Sequence, residues 1–244
     1  MKLSVSGAAL VVLALSAIAA SANADEGQRS LAMPTESLGS LGQKIQFPES
    51  SADMAMFVQC VVEVKESGKV GYNFCLHRDG VDDLAYRKAV TKVMDDAVFA
   101  PAVYDGEIKR TSWFYRVLFY RQKGAQTVRV YGNWGDDAEA YDLDYEAPQR
   151  IRRYKNDGPN ISADCSKDGK FIRVKIDESG NVVGKPEVHL TKPDEVGQNR
   201  CHLQLTNYYE NAVYLPALDN GVAVSATYTG MAGKWPNAPS RTDY

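Results

Sequence analysis

The chain has only three histidines and four cysteines in 244 residues, and no two cysteines form a Cys-x-x-Cys pair. Structural zinc sites bring their ligands in such close pairs, so the cysteines argue against a zinc domain. No Gly-x-Ser-x-Gly elbow, His-Glu-x-x-His, phosphate-binding Gly-Lys-Ser/Thr loop or dinucleotide fingerprint occurs. Without one of these the sequence names no nucleophile, metal or phosphate chemistry, and the expectation is a protein that is not an enzyme and holds no cofactor or metal. Basic residues are not in surplus either: 28 Lys and Arg stand against 31 Asp and Glu, a net charge of −3. A general nucleic-acid binder would show a basic stripe, so no nucleic-acid partner is expected. Beyond the N-terminus no run is long and apolar enough to span a bilayer.

What is present begins with a leader. Residues 1–24 carry Lys2, an uncharged stretch from Leu3 to Ala20, and Ala22-Asn23-Ala24 ahead of Asp25. Small residues at −3 and −1 before an acidic residue predict a cleaved secretory signal peptide, with an uncleaved anchor as the rival reading. Residues 25–52, with Ser37-Leu38-Gly39-Ser40-Leu41-Gly42, read as a mobile lead-in. An even number of cysteines in an exported chain points to disulfides.

One stretch then occurs twice. Ser67-Gly68-Lys69-Val70, Phe99-Ala100-Pro101-Ala102 and Asp105-Gly106 return as Ser179-Gly180-Asn181-Val182, Tyr214-Leu215-Pro216-Ala217 and Asn220-Gly221. The turn glycines are 112 residues apart and the prolines 115, so three residues are inserted between the landmarks. In the first copy, 53–122, Val58, Cys60, Val62 and Val64 alternate as a half-buried strand, and the chain returns through Val70 to Leu76. A helix with Tyr86, Ala89, Val90, Val93, Met94 and Ala97 on one stripe follows, then a strand from Ser112 to Tyr120. The second copy, 164–230, repeats this order, with Pro186 marking an edge or bulge and Leu203, Leu205, Tyr208, Tyr209 and Ala212 on the helix's apolar side. Residues 123–163 read as a solvated linker holding one strand at Thr127 to Tyr131, and 231–244 as a tail. The predicted fold is α+β: two tandem β-β-α-β units, each a helix packed on a small antiparallel sheet.

The glycine turn, helix, aromatic-x-Pro-Ala element, Asp/Asn-Gly turn and final strand, in that order and twice, resemble the C-terminal domain of TonB proteins. The resemblance implies a module of the Gram-negative periplasm that engages short segments of outer-membrane transporters, the partner adding a strand to an exposed sheet edge. It does not imply energy transduction, because the leader reads as cleavable and residues 25–55 hold only Pro34 and Pro48 in place of a proline-rich spacer. The functional expectation is a periplasmic interaction module with a protein or peptide partner. The alternatives are a structural or homodimerising envelope protein with no free edge, an anchored energy-transduction component, and an unrecognised hydrolase.

Two residue sets carry specific expectations. A two-residue turn at Ser67-Gly68 sets Glu66 against Lys69 and, in the same register, Cys60 against Cys75, which leaves Cys165 for Cys201; four cysteines also allow two other pairings. In that register Tyr72, Phe74 and Leu76 face away from the valine row, so either both faces are covered or a bulge shifts the strand. Trp113, Tyr115, Val117 and Phe119 alternate along the third strand of the first copy. They read as core or, in the sharper reading, as an exposed edge that accepts the partner.

Overall fold

Period-two apolarity is satisfied at the centre of the molecule, where two long strands pair along their length. The computed structural model describes residues 28–49, 52–76, 82–133, 144–152, 169–190 and 198–233. The first half of the chain forms β1 (Met33–Pro34), α1 (Leu38–Lys44), β2 (Met54–Val64), β3 (Val70–Cys75), α2 (Leu84–Met94), β4 (Phe99–Ala100), β5 (Ala102–Tyr104), β6 (Glu107–Gln122) and β7 (Ala125–Tyr131). The second half forms β8 (Tyr145–Glu146), β9 (Gln149–Arg152), β10 (Lys170–Ile176), β11 (Glu187–Leu190), α3 (Gln198–Glu210), β12 (Val213–Leu215), β13 (Ala217–Asp219), β14 (Val222–Val224) and β15 (Ala226–Ala232).

β6 organises the sheet. One side pairs with every residue of β2, from Met54↔Arg121 to Val64↔Thr111, and the other carries β9 and then β7, while β5 pairs with the first residues of β6, Glu107 to Lys109. The main path of this sheet runs β12-β9-β6-β2-β3. A second sheet has the order β11-β10-β15, and a small one β14-β13-β8.

Both faces of the central sheet are buried. On one, Tyr86, Val90 and Met94 of α2 pack with Val58, Cys60 and Val62 of β2 and with Tyr115, Val117 and Phe119 of β6. On the other, Val61 and Phe114 meet Ile172, Val174 and Ile176 of β10, Leu205 and Tyr209 of α3, and Tyr228 of β15. Each large side chain so buried stabilises the fold by about 1.5–3 kcal/mol. This second core explains why Tyr72, Phe74 and Leu76 are apolar, since they pack against it.

The repeat is visible in the strand registers. Val64↔Thr111 between β2 and β6 has its counterpart in Ile176↔Ala226 between β10 and β15, offset by the same 112 and 115 residues as the sequence landmarks. Asp105-Gly106 and Asn220-Gly221 both have positive φ, 52° and 77° against 50° and 77°, as a tight hairpin turn requires. The correspondence extends beyond the expected units: Met33 pairs with Ala100, and Gln149 with Leu215. The side chain of Gln149 then brackets Ala32, accepting from its N–H and donating to its carbonyl, each at 2.8 Å.

Two self-contained helix-on-sheet β-β-α-β units are nevertheless not what the chain builds, and the α+β expectation is overturned. Strands hold 51% of the structure and helices 18%. The central sheet takes β9 from the join and β12 from the second repeat. The physical reason is that short strands such as β4 and β12 must pair their main-chain groups, and the partners in reach lie in the lead-in and the join. The lead-in is therefore part of the core, with Leu31, Ala32, Leu41 and Ile45 buried. The join holds β7, β8 and β9 rather than one strand, and Met231 and Ala232 belong to β15 rather than to a tail. Leu203 is also corrected: it is 59% exposed, while Leu205 and Tyr209 turn inward as expected and Cys201 joins them.

Candidate functional site

The Ser67-Gly68 turn sends β3 back along β2, but without setting Glu66 against Lys69: the Lys65 N–H donates to the Lys69 carbonyl and Val64 stands opposite Val70. Farther along, Cys60 stands opposite Cys75 as expected, with Val61 opposite Phe74 and Val62 opposite Asn73. Cys60 and Cys75 form a disulfide, their Cα atoms 4.0 Å apart. Between Val62 and Val64 the register slips, and β3 uses one extra residue, a bulge at Gly71 and Tyr72. Gly71 is glycine because the Glu63 carboxylate lies over it; a Cβ there would stand 2.3 Å from Glu63 Oε1. Glu63 is itself buried and accepts from Arg110 at 3.2 Å and from Arg152. The bulge is thus realised, and Tyr72, Phe74 and Leu76 on the other face are half-buried against the second core.

β3 is the last strand of the central sheet. The Leu76 N–H donates to the Gln59 carbonyl at 2.8 Å, which sets the phase of the ladder. Alternate residues of an antiparallel strand bond to opposite sides, so the main-chain groups of Asn73 and Cys75 point away from β2. No strand stands there among the described residues.

The edge is held stiffly from both faces. Towards α2, Asn73 Nδ2 donates to the Thr91 carbonyl and to Asp95 Oδ1, each at 3.2 Å, while its Oδ1 accepts from the Tyr115 hydroxyl at 2.8 Å. Burial, and then the negative Asp95, push the Tyr115 hydroxyl well above its ordinary pKa, so it stays a donor. On the opposite face Tyr72 and Phe74 are half-buried and stack, ring centroids 6.1 Å apart.

Trp113, Tyr115, Val117 and Phe119 are fully buried on β6, an interior strand. They do not lie on an edge of the sheet; Tyr115 instead hydrogen-bonds to Asn73 on the edge strand β3, two strands away. Cys201 is buried and disulfide-bonded. Cys165, its expected partner, lies outside the described residues, as does the leader.

Sequence reasoning missed Glu146. It lay in an acidic stretch read as solvated, but it is buried and accepts from Trp113 Nε1 at 3.1 Å. Burial raises its pKa to about 8, partly offset by that hydrogen bond. Gly132 makes room for it, since a Cβ there would stand 2.2 Å from Glu146 Oε2. Asn73, a lone amide among apolar strand residues, was the available signal for the edge. No group of His, Cys, Asp and Glu among the described residues could hold a metal. No described helix is long and apolar enough to cross a membrane. No protein-family model, curated protein or solved structure matches this chain.

Proposed function

We propose that this protein is an exported, periplasmic interaction module that takes an extended segment of a partner protein as an added strand on β3. The observation that carries the reading is the difference between the two repeats at the same strand. In the second repeat the edge strand β11 is only four residues long, is preceded by Pro186 and exposes Glu187 and His189. Prolines, charges and short length are the means by which sheets discourage pairing. β3 has six residues, no proline and no charged side chain, and it is pinned by a disulfide. Its main-chain groups are presented in a fixed geometry, so an incoming strand gains hydrogen bonds without having to order the acceptor. The leader, with its export features, and the resemblance of the repeated landmarks to the TonB C-terminal domain support the compartment and the mode.

The test compares Asn73→Pro with Asn73→Ala. Both lose the side-chain bonds to Tyr115 and Asp95, but only proline removes the outward N–H, and neither touches a bond to β2. Extended peptides selected on the native protein from a random library should lose binding to Asn73→Pro and keep it on Asn73→Ala, measured by titration calorimetry. Peptides that bind both variants equally, or a library that yields none, would refute the reading.

A further inference from the structure

From the side chains flanking the free edge, we infer that β3 selects a segment with a basic residue between two apolar or aromatic ones, the basic side chain pairing with Asp95. The inference rests on the reading of β3 as an accepting edge. Residues opposite one another in neighbouring strands share a face, and successive residues alternate. The partner residue opposite Asn73 therefore lies on the α2 side, beside the carboxylate that Asn73 holds. The residues on either side of it lie on the other face, beside the half-buried rings of Tyr72 and Phe74.

Asp95 is suited to a cation for two independent reasons. It is exposed, and among the described residues neither Lys88, Lys92 nor any other basic side chain pairs with it; its carboxylate accepts only from Asn73 Nδ2. It also caps the C-terminal end of α2, where the unpaired carbonyls make the field negative and a carboxylate is unfavourable unless a cation joins it. The same amide that orients Asp95 is fixed in turn by Tyr115, so the carboxylate is held at the edge before a partner arrives. Tyr72 and Phe74 offer the neighbouring partner residues flat apolar surface rather than hydrogen bonds.

A library of blocked seven-residue peptides, panned on the native protein and on Asp95→Lys, tests this. The native protein should enrich Lys or Arg at one position flanked by apolar or aromatic residues, and Asp95→Lys should enrich Asp or Glu at that position. Asp95→Asn should weaken a Lys-centred peptide about threefold to fivefold, the scale of an exposed ion pair, and leave its norleucine counterpart unchanged. Enrichment of flanking apolar residues with no charge preference, or a preference that survives Asp95→Lys, overturns the role of Asp95 and leaves edge capture standing. A library that enriches nothing on either protein overturns edge capture as well.

Discussion

The Tyr115 hydroxyl reaches over β2 to donate to Asn73 Oδ1 at 2.8 Å, tying the interior strand β6 to the outermost strand of the sheet. Tyr115 also stacks on Trp113, ring centroids 4.9 Å apart, so the donor has little freedom to leave. Tyr115→Phe keeps the ring and strands a buried amide oxygen, which costs about 1–3 kcal/mol. Denaturant unfolding should show that loss, and hydrogen exchange should show faster opening at Phe74 and Leu76, whose N–H groups face β2. An unchanged midpoint would mean that water replaces the hydroxyl.

The Cys60–Cys75 bond closes a short loop, with a sequence separation of 15. Restricting the unfolded chain over such a loop is worth about 3 kcal/mol. The double variant Cys60→Ala, Cys75→Ala should lose stability of that order in the absence of reductant. A loss well below 1 kcal/mol would show that the hairpin needs no staple.

The glycines divide sharply. Gly68 and Gly180 have φ of +74° and +85°, and a Cβ would stand 2.2 Å from the Phe99 carbonyl oxygen and 2.5 Å from that of Tyr214. Gly106 and Gly124 share the positive φ but have nothing within 4 Å. Alanine at either of the latter should cost about 1–2 kcal/mol, the left-handed penalty alone. At Gly68 or Gly180 backbone must also move, and thermal melts should show a clearly larger loss. Equal losses at all four positions would remove the close approach as the reason for these glycines.

Glu146 links stability to pH. Its folded pKa is raised from 4.5 to about 8 by burial, so between these values the folded state keeps a proton that the unfolded state releases. The stabilisation is full below about pH 4.5 and is lost as pH rises towards 8. Glu146→Gln keeps an acceptor for Trp113 and removes the titration. It should flatten the fall in stability between pH 5 and pH 8, with a gain on the order of a few kcal/mol at the alkaline end. Parallel pH profiles for the two proteins would exclude Glu146 as the linked group.

Local chemistry was legible in the sequence wherever a feature depends on near neighbours. The repeat, the positive-φ turns and the alternating strand from Val58 to Val64 follow from residue spacing, because turn length and side-chain period act over a few residues. Cys60, by contrast, comes opposite Cys75 only because the bulge offsets the register set at the turn by one residue. The aromatic row from Trp113 to Phe119 was legible as a strand, but its place in the sheet was not. Whether a strand is an edge depends on what pairs with it, and β9 and β7 arrive from the join. The same holds for Glu146, whose burial depends on Trp113, 33 residues away, and on the space above Gly132. Sequence by itself thus determined the repeated local geometry and the hairpin that carries Cys60 and Cys75. Only the tertiary structure decided which edge is left open, because main-chain groups take whatever partner the folded chain brings within reach.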